Sequence, residues 1–298
     1  MDLQLDQLRA LDAVLTEGTF DAAARRLNLT PSAVSQRIKA LEDAAGRILV
    51  QRSKPVRATE SGLAVLRLAR QVHVLAADTA RELGEPDRPV GRPARIPIAV
   101  NADSLETWVL PAVSRISGIA CLELHREDEE HTTRLLRDGT VMAAITATAT
   151  PVQGCRVQPL GAMRYQALAT PNFAQYWFPD GARPGSYTHV PMIQFDRNDD
   201  LQARHLRGAN QRPADPPTHF VPSSTAFREA VRLGMGWGML PDLQTETDRA
   251  EGTLVNINGQ ARIDVPLYWQ QWKLDSPALN AVADAIIGAA AKALLPVE

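Results

Sequence analysis

Two groups of side chains have the types and spacing for recognition chemistry. The first is a polar run, Thr30, Ser32, Ser35, Gln36 and Lys39, followed at a distance by Arg52 and Arg57. Ser32, Ser35 and Gln36 carry hydroxyls and an amide able to reach base edges, and a Gln amide can pair with adenine through two hydrogen bonds. Lys39, Arg52 and Arg57 suit phosphates or a minor groove. The second group combines carboxylates, Asp103, Glu129, Asp196 and Asp199, with Asn101, Ser104, Ser223 and Ser224. A carboxylate on a ligand needs hydroxyls and orphan amides at helix starts, whereas cationic groups need carboxylates. Trp108 could cover a ligand's alkyl stem or simply pack in a core. Each carboxylate could equally be a helix cap or a solvated loop charge.

These groups require elements to hold them. Leu5, Leu8, Leu11, Val14 and Leu15 recur at spacings of three and four, an amphipathic helix that Gly18 can close. Thr19 caps a second short helix carrying Ala22, Ala23, Ala24 and Leu27. Thr30-Pro31-Ser32 opens a third, with Thr30 as cap and Pro31 at the first helical position. That helix turns Val34, Ile38 and Leu41 inward and leaves the polar run outside until Gly46. Ile48 to Arg52 and Pro55 to Arg57 resemble the arms of a wing. A bundle with a solvated helix face would explain the charges alone, but not the cap, the spacing and the wing together.

From Thr59 to about Leu83 the pattern is one long helix, nearly 40 Å at ~1.5 Å per residue. Its Val65, Leu68, Val72, Leu75 and Thr79 repeat near 3.5 and are expected to form a seam, for a partner helix or for packing on their own domain. Gly84 to Pro97 holds four prolines and two glycines and reads as a hinge. Beyond it, apolar runs (Ile96–Val100, Cys121–His125, Val141–Ala147, Met192–Phe195, Thr218–Val221, Trp237–Leu240, Pro266–Trp269) alternate with helices, a pattern that predicts a parallel α/β sheet in two lobes. The expected domains are 1–58, a winged helix-turn-helix; 59–92, the linker helix and hinge; and 93–298, a ligand-binding domain. Two lobes with a cleft between them fit the length of this last part.

Composition narrows the field. The 298 residues are 45% hydrophobic and 22% charged with a net charge of -2, which excludes whole-chain disorder and a globally basic coat. The balance is local, however: residues 25–57 carry eight Lys and Arg against two acids, a charge of +6, which fits an anionic partner. Cys121 and Cys155 lack metal-ligand or disulfide spacing, and no metal or cofactor is expected. The acidic start and the absence of a long apolar run suggest a cytoplasmic protein with no membrane partner. Gly234-x-Gly236-x-Gly238 follows a predicted helix and runs into a strand, the wrong order for a dinucleotide loop. His125 and His131 are six apart with no third ligand nearby. No nucleophile stands beside a base, so an enzyme is not expected.

The run from Ala23 to Glu42, A-A-x-x-L-x-x-T-P-S-A-V-S-Q-x-I-K-x-L-E, with T-E-S-G from Thr59, resembles the LysR-type transcriptional regulators. More narrowly, VSQRIKALE, NADSLETWVLPA from Asn101, FDRNDDL from Phe195, VPSSTAF from Val221 and LYW from Leu267 are similar to the LysG/ArgP branch. Gln36-Arg37 reverses the Arg-Gln of many LysR recognition helices, an exchange this branch shares. The resemblance implies an α+β multidomain fold: a winged helix-turn-helix, a long linker helix, and a two-lobed α/β domain like periplasmic binding proteins. It places crossovers near Leu160–Met163 and Asp264–Leu267, hence lobes of about 93–161 with 266–298 and about 162–265, and an effector in the cleft. It further implies a homodimer or homotetramer on double-stranded, pseudo-palindromic DNA, half-sites ~34–36 Å apart, contact with RNA polymerase, and activation of an exporter gene by lysine, arginine or histidine. Competing readings are a DNA-binding repressor or nucleoid-associated protein without an effector, and a solute-binding or enzymatic module with an incidental helical head.

Overall fold

The computed structural model describes residues 3–83, 94–126, 129–182, 185–208, 216–259 and 261–296. The hinge expected from Gly84 lies, over 84–93, outside them.

The head is built from α1 (Leu5–Glu17), α2 (Phe20–Leu27), α3 (Pro31–Ala45), and the wing strands β1 (Val50–Gln51) and β2 (Arg57–Ala58). Its local ends follow the sequence. Gly18 closes α1 at φ 72°, Thr19 Oγ1 accepts from the Ala22 amide at 3.2 Å, and Thr30 Oγ1 accepts from the Ala33 amide at 3.2 Å. Val34, Ile38 and Leu41 of α3 are buried with Leu8, Leu11, Val14 and Leu49, each such side chain contributing about 1.5–3 kcal/mol. The wing is pinned from α3, whose Glu42 Oε1 accepts from the Leu49 and Val50 amides at 2.8 and 3.3 Å.

Helix α4 (Glu60–Glu82) leaves the wing through a cap: Thr59 Oγ1 accepts from the Gly62 amide at 3.0 Å and its hydroxyl donates to the Ile48 carbonyl at 2.7 Å. The expected seam divides. Val65 is buried in the head with Leu66 and Ala69, so the head's core runs past the boundary expected at 58. Val74 is buried in the second domain's core, whereas Leu68 and Leu75 are exposed at 38% and 39%. A helix crossing two cores must show each a different face, which a single 3.5-residue stripe does not capture.

The rest of the chain runs β3 (Ala94–Val100), α5 (Ala102–Ser104), a π turn (Leu105–Val109), α6 (Leu110–Val113), β4 (Ala120–Arg126), α7 (Glu129–Arg137), β5 (Ala143–Thr146), β6 (Cys155–Ala169), α8 (Pro171–Trp177), β7 (Met192–Gln194), α9 (Leu201–Gly208), β8 (Thr218–Phe220), α10 (Ser224–Arg232), β9 (Gly238–Pro241), α11 (Asp242–Ala250), β10 (Val255–Asn256), β11 (Arg262–Trp272) and α12 (Pro277–Ala293). The sheet is mixed, which corrects the parallel expectation. β3 pairs in parallel with β4 and β5, but β11 is antiparallel to both β5 and β6, and β9 and β10 are antiparallel to β6. β7 and β8 form a separate parallel pair in the second lobe.

The long strands β6 and β11 were only partly legible because Pro159, Gly161 and Pro266 interrupt their apolar pattern. They pair from Arg262↔Gln166 to Trp272↔Cys155, with an irregularity at Leu267/Tyr268, and so belong to both lobes. Gly161 sits at φ 137°, where a Cβ would lie 2.7 Å from Leu294 Cβ and from the Leu295 carbonyl. Leu295 in turn pairs with Ala162 through two backbone hydrogen bonds, 2.8 and 3.0 Å. Pro97, which the sequence places at the end of the hinge, lies within β3. It is tolerated there because β5 pairs with β3 only at Ile98 and Ala99, leaving Pro97 at a local edge.

Candidate functional site

Two surfaces carry the candidate residues. On the head, Thr30, Ser32, Gln36 and Lys39 are exposed along α3, Ser35 is half-buried, and Arg52 and Arg57 are exposed on the wing. The inward Val34, Ile38 and Leu41 fix the rotation of α3, so the polar run is what the helix presents on its outer side. Thr30 is already committed as the cap. Arg52 stacks over the Phe20 ring at 5.5 Å, which anchors the wing while its charge stays in solvent. Arg37 is paired with Asp6 at 3.2 Å and is thereby held off the recognition surface.

The second surface is a cavity of about 690 Å³ between the lobes. β3 ends at Val100, Asn101 starts the helical segment, and its first turn carries Asp103. Opposite, β6 brings Tyr165, the first turn of α10 brings Ser224, and α11 brings Gln244. Tyr165 donates to Asp103 Oδ2 at 2.8 Å and Ser224 to Asp103 Oδ1 at 2.5 Å, while Gln244 Nε2 donates to Ser224 Oγ at 3.2 Å. Thr225 also donates to Glu106, so the lobes are latched at two carboxylates. Enclosure between the lobes pushes the Asp103 carboxyl above its ordinary range against the pull of the Ser224 and Tyr165 hydroxyls, and the nearby Asp199 and Glu106 charges add to the rise.

The loop after β7 supplies more acid. Asp199 accepts from the Phe195 and Leu201 amides at 3.0 and 3.1 Å, yet burial still raises its pKa. Asp196 Oδ1 accepts from the Asn198 and Asp199 amides at 2.7 and 3.1 Å. Arg126, at the end of β4, lies over the Phe195 ring at 5.8 Å and faces the same cavity as Arg204 of α9. Four aspartates, Asp103, Asp196, Asp199 and Asp200, thus share the wall with two arginines.

Of the residues expected here, Asn101, Asp103, Asp196, Asp199 and Ser224 line the cavity. Three sit elsewhere among the described residues. Ser104 is fully buried behind the wall, Trp108 is in the hydrophobic core, and Ser223 is the N-cap of α10, accepting from the Ala226 amide at 3.4 Å. Ser224 spends its hydroxyl on Asp103 instead of offering it to a ligand's carboxylate. Asp103 and Glu129 are in helices rather than loops, Glu129 opening α7, and the Glu129 side chain lies outside the described residues. Sequence reasoning missed Tyr165, Gln244, Arg126 and Arg204. Arg126 had a signal, since it immediately follows the predicted strand Cys121–His125; Arg204, Tyr165 and Gln244 had none.

A helix-turn-helix head with an exposed polar recognition helix, joined by a long helix to two lobes around a charged cleft, defines a DNA-binding transcriptional regulator with a ligand-binding domain. Residues 5–63 match the bacterial regulatory helix-turn-helix protein, lysR family, and residues 94–291 match the LysR substrate binding domain. The chain belongs to the LysR family of transcriptional regulators. It is 46% identical over 292 residues to the HTH-type transcriptional regulator LysG of Mycobacterium tuberculosis, covering 97% of this chain and 95% of the relative. It is 41% identical over 295 residues to the lysine export transcriptional regulatory protein LysG of Corynebacterium glutamicum, covering 97% and 99%. The solved full-length Corynebacterium glutamicum LysG with bound effector Arg superposes with a TM-score of 0.78 at 38% identity, covering 98% of this chain and all of that one. These relatives are regulators, not enzymes. Among the described residues no helix is long and apolar enough to cross a membrane, and no group of His, Cys, Asp and Glu could hold a metal ion.

Proposed function

We propose that this protein senses a basic amino acid, lysine, arginine or histidine, in the inter-lobe cleft and activates an amino acid exporter gene. One observation carries the reading: the cleft wall sets four aspartates against two arginines. Lysine and arginine present two cationic groups and one carboxylate, so such a wall answers both signs of the ligand and neutralises its own excess. The arginine held by the Corynebacterium glutamicum relative and the lysine export in that relative's name support it. Asp103, Asp196 and Asp199 would receive the cationic groups, and Arg126 and Arg204 the carboxylate. Ser32, Ser35 and Gln36 would read bases while Lys39, Arg52 and Arg57 hold phosphates of a pseudo-palindrome bound by a dimer or tetramer. Ligand would alter lobe or subunit angles, and with them DNA bending and RNA polymerase contact, through different affinities for two arrangements.

Thermal denaturation with each of the twenty amino acids tests the sensor. Lysine, arginine or histidine raises the melting temperature selectively, as binding to the folded state requires. No shift with any of them selects a DNA-binding protein without an effector.

A further inference from the structure

Ser224 has a single hydroxyl proton and gives it to Asp103, so its contact with Gln244 must be donated by the Gln244 amide. That fixes which end of the amide is which. The other end, Gln244 Oε1, is buried and has no hydrogen-bond partner. Asn101 Oδ1 is in the same condition on the opposite lobe, and the Asn101 side chain makes no cap bond to the helix it precedes. Both residues line the inter-lobe cavity beside Asp103. Two orphan carbonyl oxygens on residues that line one charged cleft are costly unless a donor arrives.

We infer that Asn101 and Gln244, one from each lobe, form with Asp103 a receptor for a nitrogen group bearing at least two N–H donors, an ammonium or guanidinium, and reject a cation without them. The inference rests on the amino-acid sensing reading and deepens it. A carboxylate alone attracts any cation; carbonyl oxygens add a requirement for protons to donate, because an analogue lacking them leaves both oxygens unpaired. Gln244 is thereby a specificity-determining residue, holding Ser224 with one end of its amide and reading the ligand with the other.

The test is calorimetric titration of the full-length protein with whichever of L-lysine and L-arginine it binds, set against two analogues that keep the charge. One is trimethylated at the α-nitrogen, and the other is fully methylated at the side-chain nitrogens. Wild type prefers the parent over one of the two analogues by about tenfold or more, and Gln244→Met erases most of that preference while still unfolding in one cooperative transition. Asn101→Ala, which removes no cap bond, gives the same comparison should Gln244→Met fold poorly. Equal binding of the parent and both analogues by wild type, or an undiminished preference in the variants, overturns the inference. Wild type that binds neither amino acid removes the proposed function itself, and this inference falls with it.

Discussion

Asp103 concentrates the chemistry of the cleft in one carboxyl group. Its pKa is raised by enclosure, and a bound cation favours its ionised form, so cation affinity should fall as pH drops through that raised value. Titrations from about pH 4.5 to 8 should show the decline in wild type, with a flatter profile in Asp103→Asn. At the head, Gln36→Ala is expected to lose about 1–3 kcal/mol of discrimination between operator and random DNA with little change in non-specific binding, measured by gel shift at fixed salt. Residue roles were legible where they are local. Thr30 and Thr19 cap because the next three residues decide it. The partners of Asp103 were illegible, since Tyr165 and Ser224 lie 62 and 121 residues away and only the fold brings them together. Ser104 and Ser224, alike in sequence as hydroxyls near helix starts and both buried, are separated by their partners: Ser224 reaches Asp103, whereas the Ser104 hydroxyl meets none.

Elements succeed or fail here through close approaches between backbones. Gly62, in the first turn of α4, stands where a Cβ would come 1.9 Å from the Leu49 carbonyl oxygen. Gly62→Ala should therefore push the wing off the helix and cost about 2–3 kcal/mol, read as a lower denaturant midpoint with loss of operator binding. In the second lobe, α9 buries His205 between the Tyr187 and Trp237 rings, and burial lowers its pKa. The unfolded chain then binds a proton that the folded one refuses, so this group withdraws stability as pH falls below about 6.5. Melting curves at pH 7.5 and 5.5 should differ less in His205→Phe than in wild type. Elements with one period and one buried face, α1 to α3, were readable before the fold was known. α4 was not, because its faces serve two cores, and neither were β6 and β11, whose prolines and glycine suit a crossover and blur a strand.

At the scale of the whole molecule, α4 is fastened by hydrogen bonds to both the head and the second domain. Arg70 donates to Asp12 of α1 at 3.0 Å and to the Gly139 and Thr140 carbonyls at 2.7 and 2.5 Å, while Ser276, the cap of α12, donates to Asp78 at 2.5 Å. Arg70→Met should leave ligand affinity intact and loosen the head, seen as faster amide hydrogen exchange in α1. The general plan, head, long helix and two lobes, was visible in the rhythm of the sequence; how tightly α4 is fastened at both ends was not, since side-chain ties across 58 to 198 residues leave no periodic trace. The pairing of Leu295 with Ala162 gives the tail an office of its own. It splints the crossover from outside, at Gly161, where β6 passes from one half to the other. Shortening the chain by a handful of residues would thus unlock a joint far from the cut and leave the two halves swinging on a slacker pivot.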